Sequence, residues 1–176
     1  MSAAALTAFI RRPLVVALAL IVALLVLGEA LSPGFASMQQ ILRLLIVAAL
    51  LGIVAAGQNL VILGGREGID LSVGGIVSLS AIIAGNLMSG SDAGIPMAIV
   101  ACIAAGALVG LVNGIGTTLL RIPPLVMTLG MLGVLQGLLI VVRQGIPSGR
   151  AAPGLSQFVT QPFLLGLPGI IWLWVA

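Results

Sequence analysis

The sequence predicts an all-α fold, a polytopic membrane helix bundle with about five complete spans and the start of a sixth. Three observations carry that prediction. Of 176 residues, 61% are hydrophobic and only 6% are charged, whereas a soluble domain carries roughly 25% charged residues. The apolar residues form runs of about 20, the length a helix needs to cross the hydrocarbon core, without the period-two alternation of a membrane barrel. Between the runs lie short breaks rich in Gly, Pro, Ser and Arg, residues that end and start helices.

Composition also excludes whole classes of function. The seven basic residues are all arginines, set against four acids, and the chain has no lysine, histidine or tyrosine. The usual catalytic bases and nucleophiles are therefore missing, which argues against an enzyme. A metal site of His/Cys type is excluded, as is the lysine-dependent phosphate loop, so no cofactor is expected. The arginines stand singly or in a pair beside apolar runs, where they mark topology. They form no aromatic-interleaved basic patch, so nucleic acid is not an expected partner. The single cysteine, Cys102, lies inside an apolar run and reads as a small buried hydrophobe.

Taken in order, residues 1–13 form a short head ending in Arg11-Arg12-Pro13, and the doubled arginines place it on the cytoplasmic side. The first span covers about 14–31, and Ser32-Pro33-Gly34-Phe35 is a turn. In the second span, about 41–63, Ala48, Gly52, Ala55 or Ala56, and Asn59 recur at helical spacing and admit a neighbouring backbone. Gln58 and Asn59 are amides at depth, and one of them must face protein or a wet cavity.

The third apolar stretch, Ser72–Met88, follows a polar joint in which Arg66, Glu67 and Asp70 sit among glycines. Asp70 is placed to cap this helix, with Gly68 giving the tight turn and Gly74 allowing close packing. The alternative for Arg66, Glu67 and Asp70 is a charge network that changes partners during function. Residues 89–94 form a loop with an acid and no base, suited to the outer side.

The fourth span, about 95–120, carries Cys102, Gly106, Gly110, Gly114 and Thr118 every four residues, a groove for helix–helix packing. Arg121-Ile122-Pro123-Pro124 ends it and starts the fifth span, about 125–142. A long polar connection, 143–162, is a candidate re-entrant or pore-covering segment. The final stretch, Phe163–Ala176, contains Trp172 and Trp174, which read as an interfacial anchor at the start of a span. That run stops well short of a full span. The chain therefore reads as one transmembrane domain over 1–176, incomplete at its C-terminus.

Two separated blocks resemble one family. Gly68-Ile69-Asp70-Leu71-Ser72-Val73-Gly74, with the lead-in Gln58-Asn59-Leu60-Val61-Ile62-Leu63, is similar to the G-I-D-L-S-V-G region of the permease subunits of ABC importers for monosaccharides, the ribose, xylose, arabinose and galactose group. Downstream, Asn113-Gly114 and then Leu120-Arg121-Ile122-Pro123-Pro124-Leu125-Val126-Met127-Thr128-Leu129-Gly130 resemble the N-G…R-I-P-P block of the same permeases. Arg66-Glu67 departs from the family, where many members carry glycine or threonine.

The resemblance implies a multi-pass protein of the inner membrane that provides the path for a sugar. It implies a second permease chain, ATP-binding subunits and an extracytoplasmic sugar-binding protein as partners, with the lipid bilayer around it. Family permeases are about twice this length and carry their ATPase-docking loop in the second half, so the chain reads as an N-terminal half. A sugar path needs amides and hydroxyls with room around them, which makes Asn59, Ser78, Asn86, Asn113, Thr128 and Gln136 the candidates. The alternatives are a permease for nucleosides or other small polar solutes, and a passive channel or membrane scaffold not coupled to ATP.

Overall fold

A computed structural model describes residues 12–64, 68–143 and 149–176. The helices are α1 (Pro13–Leu31), α2 (Met38–Gly64), α3 (Val73–Met88), α4 (Ile95–Thr118), α5 (Pro124–Arg143), α6 (Pro153–Thr160) and α7 (Gly169–Val175). A 3-10 turn, Asp92–Gly94, leads into α4, and a hairpin of β1 (Pro162–Leu164) and β2 (Leu167–Pro168) separates α6 from α7. The chain divides into two compact units, residues 1–47 and 48–176, with α2 beginning in the first and continuing in the second.

In the first unit, Pro13 occupies the start of α1, where its missing N–H costs nothing. No residue of α1 is buried, as befits a helix that is apolar on every side. Glu29, an acid to which the sequence assigns no role, closes the following turn. Its carboxylate accepts the N–H of Gly34 at 3.0 Å and of Ala36 at 2.7 Å.

In the second unit, α3, α4 and α5 enclose a core of Leu79, Val109 and Leu135, flanked by Ile76, Ile83, Met131 and Leu139. Close approach is possible because Gly75 lacks a side chain: a Cβ there would stand 2.9 Å from Leu135 Cδ1 and 3.0 Å from Leu135 Cβ. Gly116 plays the same part between α4 and Met127 at the start of α5. Gly74, expected to be the packing glycine, has nothing within 4 Å among the described residues. Its successor, one helical step of about 100° further round, takes that role.

Among the described residues, four helical stretches, Pro13–Leu31, Met38–Gly64, Asp92–Thr118 and Pro124–Val142, are long and apolar enough to cross a membrane. The expected third span is shorter than these. α3 has 16 residues, about 24 Å at 1.5 Å per residue, less than the roughly 30 Å of a bilayer core. Residues 70–72 are drawn into a turn at one end, and Ser89, in the left-handed region at φ 44°, stops the helix at the other.

The connection after α5 is structured where it is described. A second core cluster of Met88, Ala98 and Ala152 holds it to the far ends of α3 and α4. The N–H of Gly90 donates to the Arg150 carbonyl at 2.9 Å. The Asp92 carboxylate accepts the Gly154 N–H at 2.8 Å, capping α6 from outside the helix. Leu165 and Gly166, both with positive φ (52° and 77°), make the two-residue hairpin turn.

The tryptophans depart from the anchor expected of them. Trp172 Nε1 donates to the Leu164 carbonyl at 3.1 Å. The Trp174 ring occupies the space a Cβ at Gly52 would need, midway along α2 rather than at a helix end. Residues 144–148 of the connection lie outside the described residues.

Candidate functional site

The end of α2, the start of α3, the end of α4 and the start of α5 meet around the turn 68–72. Gly68 fits because any side chain would collide with the Val61 carbonyl. Asp70 then turns the chain into α3, but not as its N-cap. Its Oδ1 accepts both the Ser72 N–H at 2.8 Å and the Ser72 hydroxyl at 2.6 Å, an Asx-type turn two residues ahead of the helix. Ser72 stands at the cap position without a side-chain bond to the helix, because its hydroxyl is engaged with Asp70 and Asn113.

Two distant helices fasten this turn. Asn113 Nδ2, from α4, donates to Ser72 Oγ at 3.0 Å. Thr128 Oγ1, from α5, accepts the Leu71 N–H at 3.1 Å. The Thr128 proton goes to one of two carbonyls, Pro124 at 2.9 Å or Ile69 at 3.3 Å. Ser72, Asn113 and Thr128 are the buried polar side chains of the described residues, at 0%, 6% and 4% exposure. A buried hydroxyl or amide is tolerable only when hydrogen-bonded, and these three are bonded mainly to the turn.

Beside the turn lies a cavity of about 470 Å³, walled by Val61, Gly64, Gly68, Ile69 and Asp70 on one side and by α4 and α5 residues on the other. Small-molecule sites commonly measure about 300–1,000 Å³. Gly110 and Gly114 belong to its wall, and a Cβ at either would meet nothing within 4 Å. The small-residue stripe of α4 is thus only partly a packing seam. At Cys102 the thiol reaches the Ser80 carbonyl of α3 at 3.4 Å. Further along, the missing side chains leave open space.

Of the candidates read from the sequence, Asn113 and Thr128 line the cavity, together with Asp70 of the motif. Asn59, Ser78, Asn86 and Gln136 are exposed and lie outside it. Ser78 Oγ donates to the Gly74 carbonyl of its own helix at 3.0 Å. Gln58 rather than Asn59 is the half-buried amide of that pair, and its Oε1 is enclosed without a partner among the described residues. Thr117, not singled out in the sequence, also lines the cavity. Its position four residues after Asn113 on α4 was the available signal.

In the downstream block, Pro124 starts α5 and Arg121 takes the left-handed conformation at φ 56°, where the chain reverses between α4 and α5. The Ile122 N–H closes that reversal on the Gly116 carbonyl at 3.0 Å. Arg66 and Glu67, the other members of the suggested charge network, lie outside the described residues.

Comparison with known proteins identifies the family. Residues 40–174 match the family described as branched-chain amino acid transport system / permease component. The chain belongs to this permease family. The permease is 34% identical over 162 residues to the autoinducer 2 import system permease protein LsrC of Escherichia coli (strain K12 / DH10B), covering 90% of this chain and 45% of that protein. LsrC of Shigella flexneri gives the same figures, and LsrC of Salmonella paratyphi B is 32% identical over 156 residues, covering 89% and 44%. The permease thus spans about half the length of these curated relatives. No solved structure matches it significantly. Its helices and its family make it a multi-pass membrane protein.

Proposed function

We propose that the permease contributes to the membrane path of an ATP-driven importer for a monosaccharide or closely similar small polyol. One observation carries this reading: in a member of the permease family, the turn bearing the Gly68–Gly74 motif walls a mainly apolar cavity between membrane-spanning helices into which Asp70, Asn113, Thr117 and Thr128 bring polar groups. The relatives named as import-system permeases support the direction of transport. On this reading the solute arrives on an extracytoplasmic binding protein, a second permease chain completes the path, and separate ATP-binding subunits do the hydrolysis. The N-terminus is cytoplasmic in the inner membrane, which puts the Arg121 reversal on the cytoplasmic side and residues 89–94 outside.

The test is uptake of radiolabelled ribose, xylose, arabinose and galactose by cells with and without the gene, with nucleosides as competitors. The reading expects gene-dependent uptake of at least one sugar, unaffected by nucleosides. It also expects an ATP-binding subunit to co-purify. Uptake that persists after deletion, or a permease that never captures an ATP-binding subunit, would overturn it.

A further inference from the structure

We propose that the apolar groove between α3, α4 and α6 holds one acyl chain of a phosphatidylethanolamine, whose phosphate meets Arg150 and whose ammonium meets Asp92. This lipid site is separate from the cavity beside the Asp70 turn and does not depend on what the permease transports.

The groove measures about 240 Å³, and its walls include Met88 of α3, Ile95, Ile99, Cys102 and Ile103 of α4, and Leu155 of α6. Every lining side chain is apolar except the Cys102 thiol, which is directed at the Ser80 carbonyl of α3 at 3.4 Å. A polar ligand would lose its hydrogen bonds to water there and gain none. Ile99 and Ile103 are 54% and 67% exposed, on a helix long and apolar enough to cross a membrane. The groove therefore opens to lipid. From Ile95 to Ile103 it follows α4 for about 12 Å at 1.5 Å per residue, most of the roughly 15 Å of hydrocarbon in one leaflet. That length suits one acyl chain lying along the helix.

The groove alone would take any chain, and the selection comes from the charges at its Met88–Ile95 end. The Gly90 N–H donates to the Arg150 carbonyl at 2.9 Å, and Arg150 Cβ lies 3.7 Å from where a Cβ on Gly90 would stand. Ala152, packed on Met88 and Ala98, holds the Arg150 segment there. Asp92 lies three residues before Ile95, and its Oδ1 accepts the N–H of Gly154, the neighbour of Leu155, at 2.8 Å. Both Arg150 and Asp92 are exposed, yet they form no salt bridge with each other. Neither the Arg150 guanidinium nor Asp92 Oδ2 has a partner among the described residues. A phosphatidylethanolamine headgroup supplies both complements: its phosphate accepts from the guanidinium, and its ammonium donates to the carboxylate. Phosphatidylcholine keeps the phosphate but has no N–H to give. Phosphatidylglycerol keeps the phosphate but brings no cation. The two charges together select the primary-amine zwitterion.

The test is native mass spectrometry of the permease in detergent, titrated with dioleoyl phosphatidylethanolamine, phosphatidylcholine and phosphatidylglycerol. One phosphatidylethanolamine per chain is expected, bound about fivefold more tightly than the other two lipids, the upper scale of one exposed ion pair. Arg150→Gln should weaken all three lipids, since each brings a phosphate, and Arg150→Lys should restore most of the binding. Asp92→Asn keeps an acceptor for the Gly154 N–H and should lower only phosphatidylethanolamine, to the level of phosphatidylcholine. In nanodiscs, a phosphatidylethanolamine with a diazirine midway along one acyl chain should label residues 95–103. If Asp92→Asn speeds amide exchange at Gly154, the turn itself has loosened, and Arg150→Gln with the lipid series decides.

Equal binding of the three lipids, a preference for phosphatidylglycerol, or wild-type binding by Arg150→Gln would each overturn the proposal. So would labelling that misses residues 95–103, the result expected if a helix of a second copy filled the groove.

Discussion

Adjacent glycines in the motif should respond oppositely to the same substitution. Gly74 and Gly75 both sit in the first turn of α3, so replacing either by alanine brings the same helix-propensity gain, about 0.5–1 kcal/mol. At Gly74 the new methyl meets nothing within 4 Å. At Gly75 it would stand 2.9 Å from Leu135 Cδ1, 3.0 Å from Leu135 Cβ and 3.2 Å from Leu132 Cδ1. The Leu135 Cδ1 can swing aside, but its Cβ moves only with the backbone of α5. Leu135 is 2% exposed, so α5 has little room to give. Over-packing of this kind costs about 1–3 kcal/mol.

Because the propensity gain cancels between the two variants, their difference isolates the packing term. Gly75→Ala should be less stable than Gly74→Ala by about 1–3 kcal/mol, while Gly74→Ala equals or exceeds the wild type. Thermal unfolding in detergent, followed by loss of the monodisperse elution peak, measures the order. Equal melting temperatures for the two variants, or a lower one for Gly74→Ala, would refute the packing of α3 on α5 through Gly75.

Two further predictions concern the ties that hold the bundle. Asp92→Ala removes the carboxylate that receives the Gly154 N–H and should cost about 0.5–2 kcal/mol as a lost helix cap; amide exchange at Gly154 should accelerate while exchange within α4 stays unchanged. Thr128→Val keeps shape but leaves the Leu71 N–H without its acceptor, for a loss of about 1–3 kcal/mol. Exchange at Leu71 reads the effect directly, and an unchanged rate there would show that the hydroxyl does not hold the turn.

What the sequence made legible was what depends on local composition. Apolar runs report membrane helices because every backbone polar group in lipid must be satisfied within its own segment. Pro124 and the Arg121 reversal were legible because proline constrains the residues around it. Gly74 and Gly75 were not distinguishable, since which glycine faces a neighbour depends on helix rotation fixed by long-range packing. The role of Asp70 was hidden for a related reason. A carboxylate two residues before a serine can cap a helix or make its own turn, and the choice is made by Asn113 and Thr128, 41 and 57 residues away from Ser72 and Leu71. Among the six candidate path residues, polarity alone could not separate Asn113 and Thr128 from Asn59, Ser78, Asn86 and Gln136. The separating quantity is burial against other helices. The hairpin at 162–168 had still less signal, because its strands are two and three residues long.

The α4 stripe shows why a glycine pattern has two meanings in a membrane protein. A missing side chain lets a neighbouring helix approach, or it leaves a space that no neighbour fills. Which occurs depends on the residues between the small ones. Val109, Asn113 and Gly116 carry the packed side of α4, against Leu79 and Leu135, Ser72 and Met127 respectively. Gly110 and Gly114 fall beside that packed side and are left lining the cavity. The same helix therefore holds the motif turn through Asn113 and opens a cavity next to it.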